Sequence, residues 1–169
     1  MQIGEGFAGA GVNSAHINVV LGHRDGPVGA AWVTALATPS AGHGRFVAVA
    51  RPGVAVVPPT LFVNKAAVSG GRHGDLTWGA AQAGIAKALG QALSSRIIDP
   101  SAIDYLVLIA AVWVNPEADD EQLVYENNVQ ATLDALGRAT VEHADVDEFL
   151  AASASPSNGF FSGPRREER

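Results

Sequence analysis

Cysteine is absent from all 169 residues, which excludes disulfide staples, a thiol nucleophile and any cysteine-based metal site at once. Lysine is almost absent as well. Arginine fills nine of the eleven basic positions, leaving only Lys65 and Lys87. The formal charge is −6 and no basic face is clustered, so nucleic acid is not expected as a partner. No apolar run reaches the roughly 18–20 residues of a membrane span, and the first residues lack the charged and apolar regions of a leader. A cytoplasmic location with no membrane partner is the expectation. Signature motifs are missing too. The glycine pairs Gly9/Gly11 and Gly70/Gly71 lack the strand–turn–helix context of a phosphate loop, and no nucleophile elbow surrounds a serine. Among five histidines there is no HExxH-type pair, so no metal is expected.

What remains is an apolar, compactly folding chain. Hydrophobic residues make up 47% and charged residues 17%, a balance that excludes disorder and suits one substantial core. Residues 1–150 read as a single domain, and 151–169, rich in Ser, Gly and Pro, as a mobile tail. The tail's one apolar pair, Phe160–Phe161, is expected to dock, with a neighbouring subunit as one candidate surface. Strands are predicted over 2–7, 15–21, 45–50, 60–68 and 105–114, the last being the most apolar and hence central. Pro27 is placed to open a helix over 28–37. Asp75 or Thr77 is placed to cap a second helix running to about residue 96. A third helix over 119–139 has Asp119, Asp120 and Glu121 in its first turn, where they suit the helix dipole. Five strands with helices mostly on one face describe an α/β (α+β) two-layer sandwich around a mixed sheet.

Residues 8–22, AGAGVNSAHINVVLG, carry the densest functional signal. A glycine-rich turn leads into an alternating strand, so His16 and Asn18 share one face while Ile17 and Val19 share the other. A titratable ring and an amide two residues apart can hold a small polar substrate, or can simply meet water at an edge strand. Lys65 shares a strand face with Val63 and Ala67. Gln82 lies four residues after Trp78 and three before Ile85, within the apolar stripe of its helix. Read blandly, Lys65 is an edge-strand charge and Gln82 a flank residue bonding a nearby backbone group. Nothing in residues 63–67 supplies a second cation or a dry pocket, so Lys65 is expected to act by charge and not as a Schiff base.

Three segments together resemble the formaldehyde-activating enzymes: Asn13-x-x-His16-Ile17-Asn18, Pro59-Thr60-Leu61-x-x-Asn64-Lys65 and Trp78-Gly79-x-Ala81-Gln82-x-Gly84. The likeness continues through 106–114 and Glu117-Ala118-Asp119-Asp120 to Asn128-x-x-Ala131-Thr132, and keeps the family's 17-residue step from Lys65 to Gln82. It implies condensation of formaldehyde with tetrahydromethanopterin to the methylene derivative, without a metal or prosthetic group. It also implies a homopentamer with sites between subunits, so that His16 and Lys65 would line one pocket from different chains. The fold implied contains a left-handed βαβ unit like that of a domain of ribosomal small-subunit protein five, against the usual crossover hand. His16 matches the family's proposed general acid, and Lys65 and Gln82 match pterin-contacting positions. Imidazole suits the task, because a carbinolamine must lose its hydroxyl as water and a group titrating near neutrality can protonate it.

Three site positions depart from the family. Its aspartate two after the histidine is Asn18, its threonine two after the lysine is Ala67, and its leucine near the pterin is Val47. Asparagine removes a charged acceptor for the amino-pyrimidine edge, alanine removes a hydroxyl, and valine enlarges the pocket. A site built to hydrogen-bond one ring discriminates against others. Reaction type is therefore better specified than substrate. Two alternatives stay open at this point: a Pictet–Spengler condensation of an aldehyde with an aryl-ethylamine, and a non-catalytic formaldehyde- or pterin-binding protein.

Overall fold

The computed structural model describes residues 1–141 and 146–163. Five strands form one mixed sheet in the order β1-β2-β7-β6-β3, with β1 Gln2–Ala8, β2 Ala15–His23, β3 Arg45–Val47, β6 Thr60–Asn64 and β7 Leu106–Val114. Only β6 and β7 run parallel; the remaining neighbours are antiparallel. The predicted strand over 45–50 breaks at Ala48, after which β4 Val49–Arg51 and β5 Val54–Ala55 make a separate small hairpin. The predicted run over 60–68 leaves regular pairing after Asn64, although the Lys65 amide still donates to the Val112 carbonyl at 2.8 Å.

Between β6 and β7 the chain crosses over through α2 Gly71–Asp75, a π-helical turn Leu76–Ala81 and α3 Gln82–Ser94. The single helix expected from residue 75 or 77 is thus three conjoined pieces. A π turn inserts one residue per turn and re-aims the stripe that comes after it. Helix α4, Glu121–Thr140, begins one residue past its cap: Asp120 Oδ1 accepts from the Leu123 amide at 2.9 Å, a bond worth about 1 kcal/mol.

The helical layer of α3 and α4 packs on the sheet face carrying Ala15, Ile17, Val19 and Leu21 from β2 and Leu108, Ala110 and Val112 from β7, all buried. Close approach of α4 needs Gly4 and Gly6 on β1, because a Cβ at either would overlap the carbonyl of Ala135 or Ala131. The family-like asparagines and threonine serve this layer. Asn13 Oδ1 accepts from the amides of Asp119 and Asp120, its Nδ2 donates to Asp119, and its carbonyl accepts from Asn127. Buried Asn128 and Thr132 bond α4's own carbonyls.

Helix α1, Pro27–Ala37, lies on the opposite face, where Gly22 leaves room for Val28. The rest of that face is open. A short helix the sequence did not announce, α5 Val146–Ser153, precedes a final segment in which Asn158 and Phe161 pair. Residues 142–145 of the expected domain and residues 164–169 of the expected tail lie outside the described residues. No helix among the described residues is long and apolar enough to cross a membrane.

Candidate functional site

The open face gathers four polar side chains, from β1, from β2 and from just past the end of β6 across β7. The register places Glu5 opposite Asn18, Phe7 opposite His16, and His16 opposite Trp113. Odd positions of β1 and β7 therefore share a face with the even positions of β2. Lys65, one residue beyond β6, continues from Val63 on the same side. A continuous chain of contacts results. His16 Nε2 lies 2.8 Å from Glu5 Oε1, His16 Nδ1 lies 3.4 Å from Lys65 Nζ, and Lys65 Nζ donates to Asn18 Oδ1 at 2.8 Å.

These partners fix the imidazole's proton. A carboxylate only accepts, so Nε2 must carry the hydrogen; an ammonium only donates, so Nδ1 must be bare. Both ends select the same neutral tautomer. Desolvation by burial is the main influence on Lys65 and lowers its pKa, while the Glu5 charge acts in the opposite direction. Lys65 remains only partly buried, so this is desolvation short of a dry pocket. Its side-chain partners His16 and Asn18 come from β2, which residues 63–67 alone cannot reveal.

Aromatic side chains wall the histidine. The Phe160 ring from the final segment meets His16 edge-on with centroids 5.7 Å apart, and meets Phe7 and Trp113 at 5.0 and 5.3 Å. Phe160 thus docks on its own chain, where the sequence had offered a neighbouring subunit as one candidate. A cleft of about 410 Å³ opens beside this wall, bounded by Phe7, Trp113, Asn115, Phe160 and the glycine turn after β1. A larger hollow of about 650 Å³, lined by Gly79, Ala83, Glu121 and Tyr125, lies on the helical layer across the sheet and has no acid–base cluster.

His16, Asn18 and Lys65 are brought together within one chain. The expectation that His16 and Lys65 approach from different chains is therefore corrected, since β2 and β6 both flank β7. The other three positions lie elsewhere. Val47 pairs with Leu61, on the cluster's face but at the opposite end of β6 from Lys65. Ala67 is exposed beyond the strand, against Gly42. Gln82 belongs to the helical layer, where its Oε1 accepts from the Val49 amide at 2.7 Å and braces the corner between β3 and β4. The bland reading of Gln82 describes this bond well. Sequence reasoning missed Glu5. Its signal is the Gly4-Glu5-Gly6 alternation, which puts both glycines toward α4 and the carboxylate on the other side, but only the β1–β2 register sets it beside His16. Among the described residues no group of three or more His, Cys, Asp or Glu side chains converges as a metal site.

Comparison with known proteins agrees with the resemblance read from the motifs. The family model described as formaldehyde-activating enzyme matches residues 3–161. The chain is 35% identical over 159 residues to 5,6,7,8-tetrahydromethanopterin hydro-lyase of Methanosarcina barkeri, covering 94% of this chain and 89% of that protein. It is 38% identical over 149 residues to the bifunctional enzyme Fae/Hps of Archaeoglobus fulgidus, and 37% identical over 150 residues to that of Methanococcoides burtonii. Those matches cover 88% and 89% of this chain but only 38% of either bifunctional protein, so the chain spans well under half their length. The aryl-ethylamine alternative finds no support in these matches. With the family model spanning nearly the whole chain, and with a relative matched at nearly full length on both sides, this chain belongs to the formaldehyde-activating enzyme family.

Proposed function

We propose that this protein is a lyase that condenses formaldehyde with tetrahydromethanopterin, with the Glu5–His16–Lys65–Asn18 row as its acid–base machinery. The observation carrying this reading is that both ring nitrogens of His16 are engaged, one by a carboxylate and one by a partly buried ammonium. Such a ring can pass a proton through itself. In the first half-reaction a pterin nitrogen adds to formaldehyde to give a carbinolamine. Its hydroxyl takes the Nε2 proton and leaves as water, the C–O bond breaks, and an iminium forms. As Nε2 gives up its proton, Nδ1 takes one from the Lys65 ammonium, leaving the lysine as a neutral amine.

In the second half-reaction another pterin nitrogen attacks the iminium carbon and closes the methylene bridge. Its proton goes to Nε2, the Nδ1 proton returns to Lys65, and the site is restored. Overall one formaldehyde and one pterin give one methylene-pterin and one water. A positioned acid–base group of this kind contributes roughly 10²–10⁴-fold. Phe7, Trp113 and Phe160 hold water away from the ring and strengthen the charge interactions along the row. The pterin is held chiefly on the open face beside His16; Asn18, committed to Lys65, tunes the lysine more than it reads the pterin edge.

We also infer a closed ring of subunits, a pentamer by family likeness. Large apolar side chains exposed outside the site, including Val33, Leu36, Val57 and Trp78, support an association surface. The test of function is direct. Purified protein mixed with formaldehyde and tetrahydromethanopterin should accelerate methylene-pterin formation over the spontaneous reaction, monitored by absorbance and confirmed by NMR of the product. A rate equal to the protein-free control would overturn the proposal. Light scattering tests the ring, and a monomer mass would exclude it.

A further inference from the structure

Glu5 stands in a position no composition rule singles out, yet it closes the row. Its carboxylate is half exposed, with 51% of the side chain accessible, whereas the His16 side chain it bonds is 23% accessible. The backbone beneath it is rigidly placed. Gly4 and Gly6 press against α4, and the Glu5 carbonyl accepts from Arg138 at 2.9 Å. Such a side chain is fixed at its root and, at its half-exposed tip, is held by the His16 bond. It can bond His16 Nε2 when the cleft is empty and yield that proton when substrate arrives.

We propose that Glu5 is a positioning residue that holds His16 in the Nε2–H tautomer between turnovers, so that the ring always meets substrate with its proton outward. This rests on the reading of His16 as the proton-passing group. Each turnover ends with the proton back on Nε2, and in the waiting enzyme nothing in the imidazole itself keeps it there. Lys65 alone selects against Nδ1–H only while it is an ammonium. Glu5 selects for Nε2–H whether or not the lysine is charged. Its negative charge also favours the ammonium form of Lys65, which ties the two ends of the row together.

Other charged groups at this end of the sheet are already engaged. Arg45 on β3 donates to the Thr38 and Ala35 carbonyls and to Ser40, and His43 bonds the Asn64 carbonyl. Helix α1, strand β7 and residues 151–163 contain no charged or histidine side chain.

The experiment compares the full-length parent with Glu5→Ala, which removes charge and acceptor, and Glu5→Gln, which removes the charge and keeps an acceptor oxygen. Nitrogen-15 NMR of labelled histidine reports the tautomer of His16 directly, assigned by its loss in His16→Ala. The parent's neutral ring should show Nε2–H alone at every pH, and Glu5→Ala should populate Nδ1–H above the alkaline limb, where Lys65 is no longer an ammonium. The alkaline limb of kcat should move down by about one pH unit in both variants, the low end of the shift expected for losing one nearby opposite charge at a half-exposed site. At pH values above the limb that is about a tenfold loss of kcat, with KM little changed. Unaltered melting shows that the fold is kept. An unchanged His16 tautomer in Glu5→Ala above the alkaline limb, or an unmoved alkaline limb, overturns the inference. Should the parent fail to turn over formaldehyde and pterin, the proposed function falls, and the tautomer measurement still decides whether Glu5 sets the ring.

Discussion

Asn18→Asp is the most informative single change, because it alters charge without altering shape. The amide oxygen of Asn18 lies 2.8 Å from Lys65 Nζ, and a carboxylate oxygen can occupy the same place. At that separation one new negative charge interacts with the ammonium by about 1.5 kcal/mol in a water-like dielectric and about 6 kcal/mol at an effective constant of 20. The lower figure applies for two reasons. Lys65 is only partly buried, and Glu5 sits directly across the strand pair from residue 18, so the new carboxylate also meets a like charge. About 1.4 kcal/mol is one pKa unit, so Lys65 should titrate about one unit higher than in the parent. The sign runs against the present arrangement, in which burial lowers the lysine. Reductive methylation with formaldehyde and borohydride, read at Lys65 by peptide mass spectrometry across pH, measures this directly: the pH of half-reaction should rise by about one unit. A lysine that holds its proton more tightly refills His16 more slowly, so kcat at neutral pH should fall by up to about tenfold. A carboxylate that reads the amino-pyrimidine edge would instead act on KM. An unshifted half-reaction pH, with tighter pterin binding at unchanged kcat, would refute the assignment of Asn18 to Lys65 and return it to the ligand.

The same geometry sets four further outcomes. His16→Ala should slow condensation by roughly 10²–10⁴-fold with melting unchanged, since the ring packs on the open face and not in the core. Mixing His16→Ala subunits with Lys65→Ala subunits and reassembling them should restore no activity, because the two residues meet inside one chain; recovery, measured as turnover of the mixed preparation, would show that they meet across an interface. Lys65→Met should raise thermal stability relative to the parent at neutral pH. Burial holds the folded lysine's pKa below its unfolded value near ~10.4, so the cost of its charge is complete below the folded pKa and vanishes as pH rises toward the unfolded one. The melting advantage should therefore shrink as pH approaches 10, and a constant difference across that range would contradict the sign. Gly6→Ala should cost about 1–3 kcal/mol in denaturant unfolding by driving a methyl into the Ala131 carbonyl of α4.

The strands were legible because each carries its period plainly. The 2–7 and 15–21 alternations and the apolar run over 105–114 each need only one strand to be read. Breaks inside elements were less so. Gly79 is the one weak helix former in the π turn over Leu76–Ala81, and a lone glycine does not announce an inserted residue; the turn packs against α4 and β7. The split at Ala48 likewise depends on Gln82 reaching the Val49 amide from another layer. Helix α5 was hidden by composition: Ser, Gly and Pro dominate the residues after it, and its exposed Phe149 and Leu150 show no buried stripe.

The site divides along the same line. His16 and Asn18 are neighbours on one strand, so their shared face could be read from alternation alone. Lys65 is 49 residues away, and its approach to His16 requires β6 to enter parallel to β7, on the edge opposite β2. A parallel entry through a helical crossover is a long-range choice that leaves no mark within residues 60–65. Lys65 and Gln82 stood out from their own segments and a resemblance paired them as pterin contacts, and the structure separates them across the sheet. Glu5 shows the converse case. Its face was written in the two flanking glycines, but a lone acid between glycines is ambiguous until a partner strand gives it a counterpart. Chemistry in this fold is assembled by register. The residues that a motif preserves and the residues that complete a proton path overlap only where one strand holds both.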